Sequence, residues 1–484
     1  PLSRLDIVHE DNILAHEVGA IFNPNWLKHI KDFRVLRMMG WMGTNNSDVQ
    51  TWDQMPTTGD YSYTLGVPTE VMTELANLIG IDPWFTLPHM SDDMLARKFA
   101  SVVKATLNPK LKAYVEYSNE VWNFQFEQAR WADAQAKQLW GNAAGGDAWI
   151  QFAGLRAAQI AQIFSEEFAE TAEARLVNVV SVHTAWTDLA DAQLAGRLLQ
   201  RVSAHKPSEV FDAYAVTGYL RPDFADENTG DILRQWLSEG GKDYAFDQID
   251  QTIRATRLKN LTGDFWPTHF DRAQKHDLAL IMYEGGTHVI LPYNEPKDDQ
   301  LIELLKEFNY SPQMVRLYDE AMQAWEDNGG RLFNAFVDVS QPSRYGSWGH
   351  LRHIDDSTER WNTVMRRNAR ANDYEADRDP SVFQDGIFGQ TVGGQSIQGT
   401  PHNDVLVGTD ADEEFVPAGG FDRVHGGNGF DQLVLSGSDT DYEFSISNYR
   451  IVASSPSQTT HFAGIQYVVF PSEGLALAVE DLLR

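Results

Sequence analysis

Between Phe33 and Ala371 the chain alternates, seven times over, a short run of β-forming residues with a stretch of helical periodicity. The runs are Phe33–Trp41, Asp82–Pro88, Leu111–Tyr117, Arg175–His183, Phe211–Gly218, Leu278–Tyr283 and Leu332–Val339. Apolar residues recur at helical spacing in Pro68–Leu78, Asp92–Leu107, Phe126–Ala169, Asp188–Ala204, within Glu227–Lys275 and Asp298–Asp327, and in Ser357–Ala371. Strands separated by helices pair in parallel, with the helices packed outside. Seven such strands in about 340 residues predict an α/β fold of the (β/α)8 barrel type. An eighth strand, the first in order, would lie in Pro1–Pro24, where only Leu5–Val8 has strand character, or be missing. The helix Pro24–Phe33 opens on Asn23 as its cap, with Pro24 in the first turn.

A barrel does not account for 484 residues, so a smaller second domain is expected. Beyond Ala371 helical periodicity stops, and residues 372–398 gather Gly, Asp and Gln in the manner of a linker. Residues 399–434 then divide without gaps into four nonapeptides. Their sixth positions are Asp404, Glu413, Asp422 and Asp431, and their eighth are Leu406, Phe415, Val424 and Leu433. The fourth, Gly426-Gly427-Asn428-Gly429-Phe430-Asp431-Gln432-Leu433-Val434, fits the pattern G-G-x-G-x-D-x-U-x outright, and the others are degenerate but in phase. The pattern predicts a parallel β-roll: glycines make tight turns, the sixth-position carboxylates and turn carbonyls hold Ca²⁺, and the eighth residues fill a narrow core. With two repeats per coil, Asp404 stacks with Asp422 and Glu413 with Asp431, for one or two Ca²⁺ ions. The tail 435–484 reads as strands at Tyr442–Ile446, Arg450–Ala453 and Ile465–Phe470 with an apolar end at Leu475–Leu483. These nonapeptides resemble the calcium-binding RTX repeats of proteins exported by type I secretion. That resemblance implies a secreted, extracellular protein with an uncleaved C-terminal signal.

Charge narrows the partners. Lys and Arg number 39 against 69 Asp and Glu, a net charge of -30, so nucleic acid and anionic membrane are disfavoured. There is no cysteine, which removes disulfides, thiolate nucleophiles and thiolate metal sites. No apolar run approaches the roughly 20 residues that span a bilayer. The sequence opens at Pro1 without a charged n-region and an h-region, so a leader was removed, the chain is a fragment, or export is signalled elsewhere. No HExxH, P-loop or G-x-S-x-G pattern occurs.

The chemistry concentrates at the C-terminal ends of the strands, where barrels carry their sites. If Phe33–Trp41 is the second strand, Leu111–Tyr117 is the fourth and Leu278–Tyr283 the seventh. Glu120 and Glu284 are the glutamates lying just past those two strands, across the lumen from each other. Glycoside hydrolysis needs such a pair: one proton donor with a raised pKa and one ionised carboxylate. Tyr117-Ser118-Asn119-Glu120 with Tyr283-Glu284-Gly285-Gly286 resembles the clan A glycoside hydrolases, retaining (β/α)8 enzymes, over about residues 24–371. The resemblance implies Glu120 as acid/base, Glu284 as nucleophile and Asn119 as donor to the substrate 2-hydroxyl. It also implies that Arg37 keeps Glu284 charged, that Tyr219 orients it, that His89 lines the site, and that Trp348 forms a flat floor beneath the reacting sugar. Glu116 fits as a support residue inside the barrel. Ser118, where bulkier residues are usual, and Gly285-Gly286, read as an open turn, depart from the pattern.

Simpler roles compete with these. Asn-Glu pairs usually cap helices, Asp92 and Asp93 suit a helix N-terminus, and Trp41, Trp84, Trp122 and Trp186 individually suit packing. His183 suits a structural role. The expectation is a monomeric enzyme cleaving a polysaccharide or oligosaccharide, with no cofactor for catalysis and with carboxyl groups about 5–5.5 Å apart as retention requires. The alternative is a non-catalytic extracellular carbohydrate-binding or matrix protein.

Overall fold

The structure, a computed structural model, describes residues 6–199, 206–223, 228–370, 378, 380–390, 395–447 and 450–482. The chain forms two compact units: Val35–Glu74 with Asp82–Arg378, and Pro1–Arg34 with Leu75–Ile81 and Asp379–Arg484.

The first unit is a parallel sheet of seven strands in sequence order, a TIM-like barrel. Its strands are β1 (Val35–Arg37), β2 (Asp82–Leu87), β3 (Ala113–Tyr117), β4 (Leu176–Ser181), β5 (Ala213–Leu220), β6 (Ala279–Thr287) and β7 (Phe333–Ala335). All seven fall on the expected runs, and the edge strands β1 and β7 meet, so the sheet is nearly closed. The helical run 126–169 is two helices, Glu127–Trp140 and Ala148–Phe168, parted at the glycines of 141–146. Asp92 caps the helix Asp93–Thr106 by accepting from Leu95 N, at 2.6 Å. No strand precedes β1 among the described residues; Asp6–Val8 is irregular and Leu5 lies outside them.

Strand alternation sets what the barrel holds inside. Trp84, Tyr114, Val177, Val179, Ala213, Ala215, Ile281 and Tyr283 pack as one cluster, with Val35 against it. On three of those strands the same alternation carries on to Arg37, Glu116 and Ser181, so the inner face turns from apolar to polar towards the strand ends. On β6 it is interrupted. Val216 pairs with Met282 but Thr217 pairs with Glu284, so Tyr283 is an extra residue, a bulge. The bulge puts Glu284 on the face that strict alternation would give to its neighbour.

In the second unit, β8 (Phe388–Gln390), β10 (Val405–Val407), β12 (Gly420–His425) and β16 (Gln458–Ala463) stack in parallel, as do β9 (Ser396–Gln398), β11 (Glu414–Val416), β13 (Gln432–Val434) and β17 (Tyr467–Phe470). Leu406 lies opposite Val424 and Phe415 is one coil from Leu433, the two-repeat coil expected from the nonapeptides. Gly427 and Gly429 turn the chain with φ of +95° and +106°. Leu406, Phe415, Val424 and Leu433 are all fully buried in the roll's core. Antiparallel β14 (Glu443–Ser447), β15 (Arg450–Ser455) and β18 (Leu475–Ala478) finish the two sheets.

Two boundaries differ from the composition reading. Part of 372–398, read as a linker, forms β8 and β9 as the first coil, and residues 371–377, 379 and 391–394 lie outside the described ones. Residues up to Arg34, read with the barrel, group with the roll. The helix Ile13–Glu17 packs on β10 and β12, and Pro24–Ile30 on β8. Glu17 holds His425 Nε2 at 2.9 Å, and its carbonyl accepts from Arg450 Nε at 2.7 Å.

The sixth-position carboxylates stack in pairs between coils: burial and the Asp404 charge push Asp422 up to about 8, and burial with the Glu413 charge pushes Asp431 up to about 6. Asp404 accepts from Thr400 N and Ile387 N, both at 2.7 Å, and from Thr400 Oγ1. Glu413 accepts from Thr409 N at 3.2 Å and from Thr409 Oγ1. Asp422 Oδ1 accepts from Asp404 N at 3.0 Å and Asp431 Oδ1 from Glu413 N at 2.8 Å, which stitches each coil to the next. With Gln458 Nε2 on Asp422 Oδ2 at 3.5 Å, the one oxygen of the four carboxylates left without a partner is Asp431 Oδ2. Ca²⁺ takes six to eight oxygens, carbonyl as well as carboxylate; no three His, Cys, Asp or Glu side chains converge among the described residues, so turn carbonyls would have to complete a site on either pair. If the pairs hold Ca²⁺, EDTA should lower the β-content and melting temperature and added Ca²⁺ restore them; an unchanged thermal scan would count against the site.

Among the described residues no helix is long and apolar enough to cross a membrane.

Candidate active site

The site grows out of Arg37 at the end of β1. Its side chain is 4% exposed and touches three acceptors, one on β3, one just past it and one on β6. Nη1 donates to Glu284 Oε1 at 2.9 Å, Nη2 to Asn119 Oδ1 at 2.9 Å, and Nε to Glu116 Oε2 at 3.0 Å. The Trp84 and Tyr283 rings lie 5.5 and 5.1 Å from it, so the cation is desolvated mainly by aromatic faces. Burial lowers the Arg37 pKa, but Glu116 and Glu284 outweigh it and the net shift is upward. Glu116 is raised by burial against the pull of Arg37 and of Ser181 Oγ, which donates to it at 2.5 Å.

Glu284 is 6% exposed and has both oxygens held: Arg37 on one, and on the other the Tyr219 hydroxyl at 2.7 Å. Burial, and then the neighbouring Glu284 charge, push the Tyr219 hydroxyl well above its ordinary range, so it stays a donor. The glycines after Glu284 continue β6 rather than forming an open turn. A Cβ on Gly285 would sit 2.4 Å from Met282 Sδ and 2.6 Å from Phe333 Cζ on β7, and one on Gly286 2.9 Å from the Phe336 carbonyl just past it, so glycine is what lets β7 approach.

Glu120 sits on a sharp corner: it and Ser118 have φ of +43° and +59°, left-handed values on either side of Asn119. Its carboxyl is half-buried, accepts from Asn123 Nδ2 at 3.0 Å, and is pushed up to about 8 by burial and then by the Glu284 charge. The barrel thus holds one glutamate between two fixed donors and another in surroundings that favour its protonated form.

Trp348 joins through rings: it lies 5.9 Å from Phe336 and 6.0 Å from His288, each of which meets Tyr219. The His89 ring packs on Trp131 at 5.6 Å, its Nδ1 is buried without a partner, and burial lowers its pKa to about 4. The His89 carbonyl accepts from Tyr117 OH at 3.0 Å.

Two residues that the motifs do not reveal hold Asn119. Asn45 Oδ1 accepts from Asn119 Nδ2 at 3.0 Å and from Gln128 Nε2 at 2.8 Å; Gln128 Nε2 also donates to the Asn119 carbonyl at 2.8 Å. Gln128 Oε1 accepts from Asn46 N at 3.1 Å, and the whole side chain is buried. A fully buried glutamine in the first turn of a helix is the available signal, but burial is not visible in a lone sequence. Replacing Gln128 by Glu removes both Nε2 donations; if the site turns over a substrate, the expected result is a loss of about tenfold or more in kcat with a smaller change in KM, measured by steady-state kinetics.

No family model matches the sequence, and no curated protein does. Solved structures with a similar chain course include the α-L-arabinofuranosidase of Thermotoga maritima in an arabinose complex, at 12% identity and TM-score 0.35, covering 72% of this chain and 62% of that one. A second arabinofuranosidase gives 13% and 0.33, covering 72% and 63%. The catalytic domain of the β-amylase of Paenibacillus polymyxa gives 11% and 0.27, covering 68% and 89%. The chain thus matches less than two thirds of the length of either arabinofuranosidase.

Proposed function

We infer that the protein is a glycoside hydrolase of the retaining type, with Glu284 attacking the anomeric carbon and Glu120 protonating the leaving oxygen. The observation that carries this reading is the unequal treatment of two neighbouring carboxyls: Glu284 is clamped by Arg37 and Tyr219, and Glu120 is raised to about 8 by burial and by Glu284. In the first step the Glu284 carboxylate forms a bond to the sugar as the glycosidic C–O bond breaks, and the Glu120 proton goes to the departing oxygen. Glu120, now a carboxylate, takes a proton from water, and the resulting hydroxide equivalent displaces Glu284. Asn119, fixed by Arg37, Asn45 and Gln128, keeps one Nδ2 hydrogen for the 2-hydroxyl of the reacting sugar, a contact that tightens as charge develops on the ring. The acidic, cysteine-free composition and the in-phase nonapeptides support a place of work outside the cell.

The test is the configuration of the first product. Incubated with a panel of soluble glycans, the enzyme is expected to release sugar whose anomeric configuration, followed by proton NMR before mutarotation, matches the bond cleaved. Inversion would reject the nucleophile role of Glu284, and the absence of any released reducing end across the panel would favour the carbohydrate-binding alternative.

A further inference from the structure

Four large aromatic side chains stand exposed on the loops that follow the strands of the two glutamates and their neighbours. Phe124 is 46% exposed on the loop after β3, four residues beyond Glu120, and Trp186 is 52% exposed after β4. Tyr293, 53% exposed, follows β6, and Tyr345, 57% exposed, follows β7. Because β3 pairs with β4, and β6 with β7, the four fall into two pairs, one on each carboxyl's side of the barrel mouth.

Each pair is braced rather than free. The buried Trp149 backs both members of the first, with its ring 5.0 Å from Phe124 and 6.3 Å from Trp186. The backbone N–H of Trp186 donates to His183 Nδ1 at 2.8 Å, which fixes the loop at that residue and places the proton of the neutral ring on Nε2 as a further donor. His183 in turn meets Trp122 edge-on at 4.4 Å, and Trp122 Nε1 donates to Tyr283 OH at 3.3 Å, beside Glu284. In the second pair, the Tyr293 hydroxyl donates to the Tyr345 carbonyl at 3.2 Å and the rings are 5.8 Å apart, three residues before Trp348. Rigid aromatic faces held in water at a site mouth are costly unless something flat and partly apolar covers them.

We propose that the two aromatic pairs are sugar-binding platforms on opposite sides of the carboxyl pair, and that the substrate is the interior of a linear, uncharged polysaccharide chain. This rests on the glycosidase reading and adds the mode of attack to it. Pyranose rings present apolar C–H faces that stack on such platforms. Glu120 protonates the leaving group, so Phe124 and Trp186 hold the departing part of the chain, and Tyr293 and Tyr345 hold the part that becomes attached to Glu284. Platforms on both sides hold sugars on both sides of the cleaved bond, which gives internal cleavage. The net charge of -30 disfavours polyanions.

Binding and cleavage are read separately. Affinity electrophoresis uses gels containing barley β-glucan, glucomannan, xylan or arabinan, with polygalacturonate as the anionic comparison, and the Glu120→Gln protein so that the gel is not consumed. At least one neutral gel is expected to retard the protein. Trp186→Ala and Tyr345→Ala in that background should each weaken retention about three- to tenfold with an unchanged circular-dichroism melt. The wild-type enzyme should lower the viscosity of the retaining glycan well before reducing ends accumulate. Unchanged mobility of both variants, retardation in polygalacturonate alone, no retardation in any gel, or release of only mono- and disaccharides from the start would overturn the platforms. Retardation that the variants lose, with no reducing ends from the wild type, would keep the platforms and reject the glycosidase reading.

Discussion

Glu284→Gln is expected to reduce kcat by about 10³-fold or more on every cleaved glycan, while Glu120→Gln loses about 10²–10⁴-fold and changes the pH profile as well. The two variants differ because their environments differ. Glu120 is raised to about 8, so below that pH it carries the proton the leaving oxygen needs. As pH rises through about 8 the proton is lost, and kcat/KM should fall about tenfold per pH unit above it. Glutamine at 120 has no such proton at any pH, so the alkaline limb should vanish along with most of the activity. A substrate with a good leaving group, such as an aryl glycoside, should restore much of the first step to the Glu120 variant and none to the Glu284 variant, because only Glu284 supplies the attacking oxygen. Equal losses for both variants on both substrate types, with an intact alkaline limb in Glu120→Gln, would reverse or remove the assignment.

Arg37→Met should give the largest loss of stability in the barrel. The guanidinium is the shared cation of two carboxylates, Glu116 at 1% and Glu284 at 8% side-chain exposure, and an amide acceptor on Asn119 besides. Removing it leaves two buried acids facing each other without a counter-charge, which typically costs about 3–5 kcal/mol. Urea unfolding should show the loss, and the variant should be more stable at acid pH than at neutral pH, because protonating Glu116 relieves it. The sign follows from the raised Glu116 pKa: a carboxyl that binds its proton more tightly when folded favours the folded state at low pH, and that contribution fades as pH rises through the folded pKa. A double variant with Glu116→Gln should recover part of the stability. A melt indistinguishable from wild type would mean that Arg37 does not hold the inner face together.

Much of the barrel was legible in the sequence because its strands are buried on both sides and therefore read as dense β-forming runs between amphipathic helices. The roll's core was legible through a different regularity, one apolar residue in each nonapeptide. What escaped was set by contacts distant in sequence. Glu284 was read as lying past a strand, whereas a one-residue bulge at Tyr283 keeps it inside β6, and a bulge leaves no mark on composition. Gly285 and Gly286 look alike in a turn and in a crowded strand, and only the neighbours Met282 and Phe336 tell the two apart. His89 follows its strand as the motif asks, yet its ring packs on Trp131. The period of the roll's carboxylates marks them as a set, but not that Asp404 and Glu413 also accept from Thr400 and Thr409 of their own turns. Asn45 and Gln128 could not be found, since an amide that holds another amide has no pattern of its own.

The grouping of Pro1–Arg34 with Asp379–Arg484 bears on the order of events during synthesis. The helices Ile13–Glu17 and Pro24–Ile30 leave the ribosome before the barrel, yet the strands they pack on, β8, β10 and β12, are made after it. Short helices of this length are marginal alone, so residues 13–30 have to remain unsettled while the entire barrel is translated between them and their partners. Ribosome-bound chains halted before residue 388 should therefore show protease sensitivity within 13–30 beside an already resistant barrel. Those residues should become resistant only once the coils through β12 emerge.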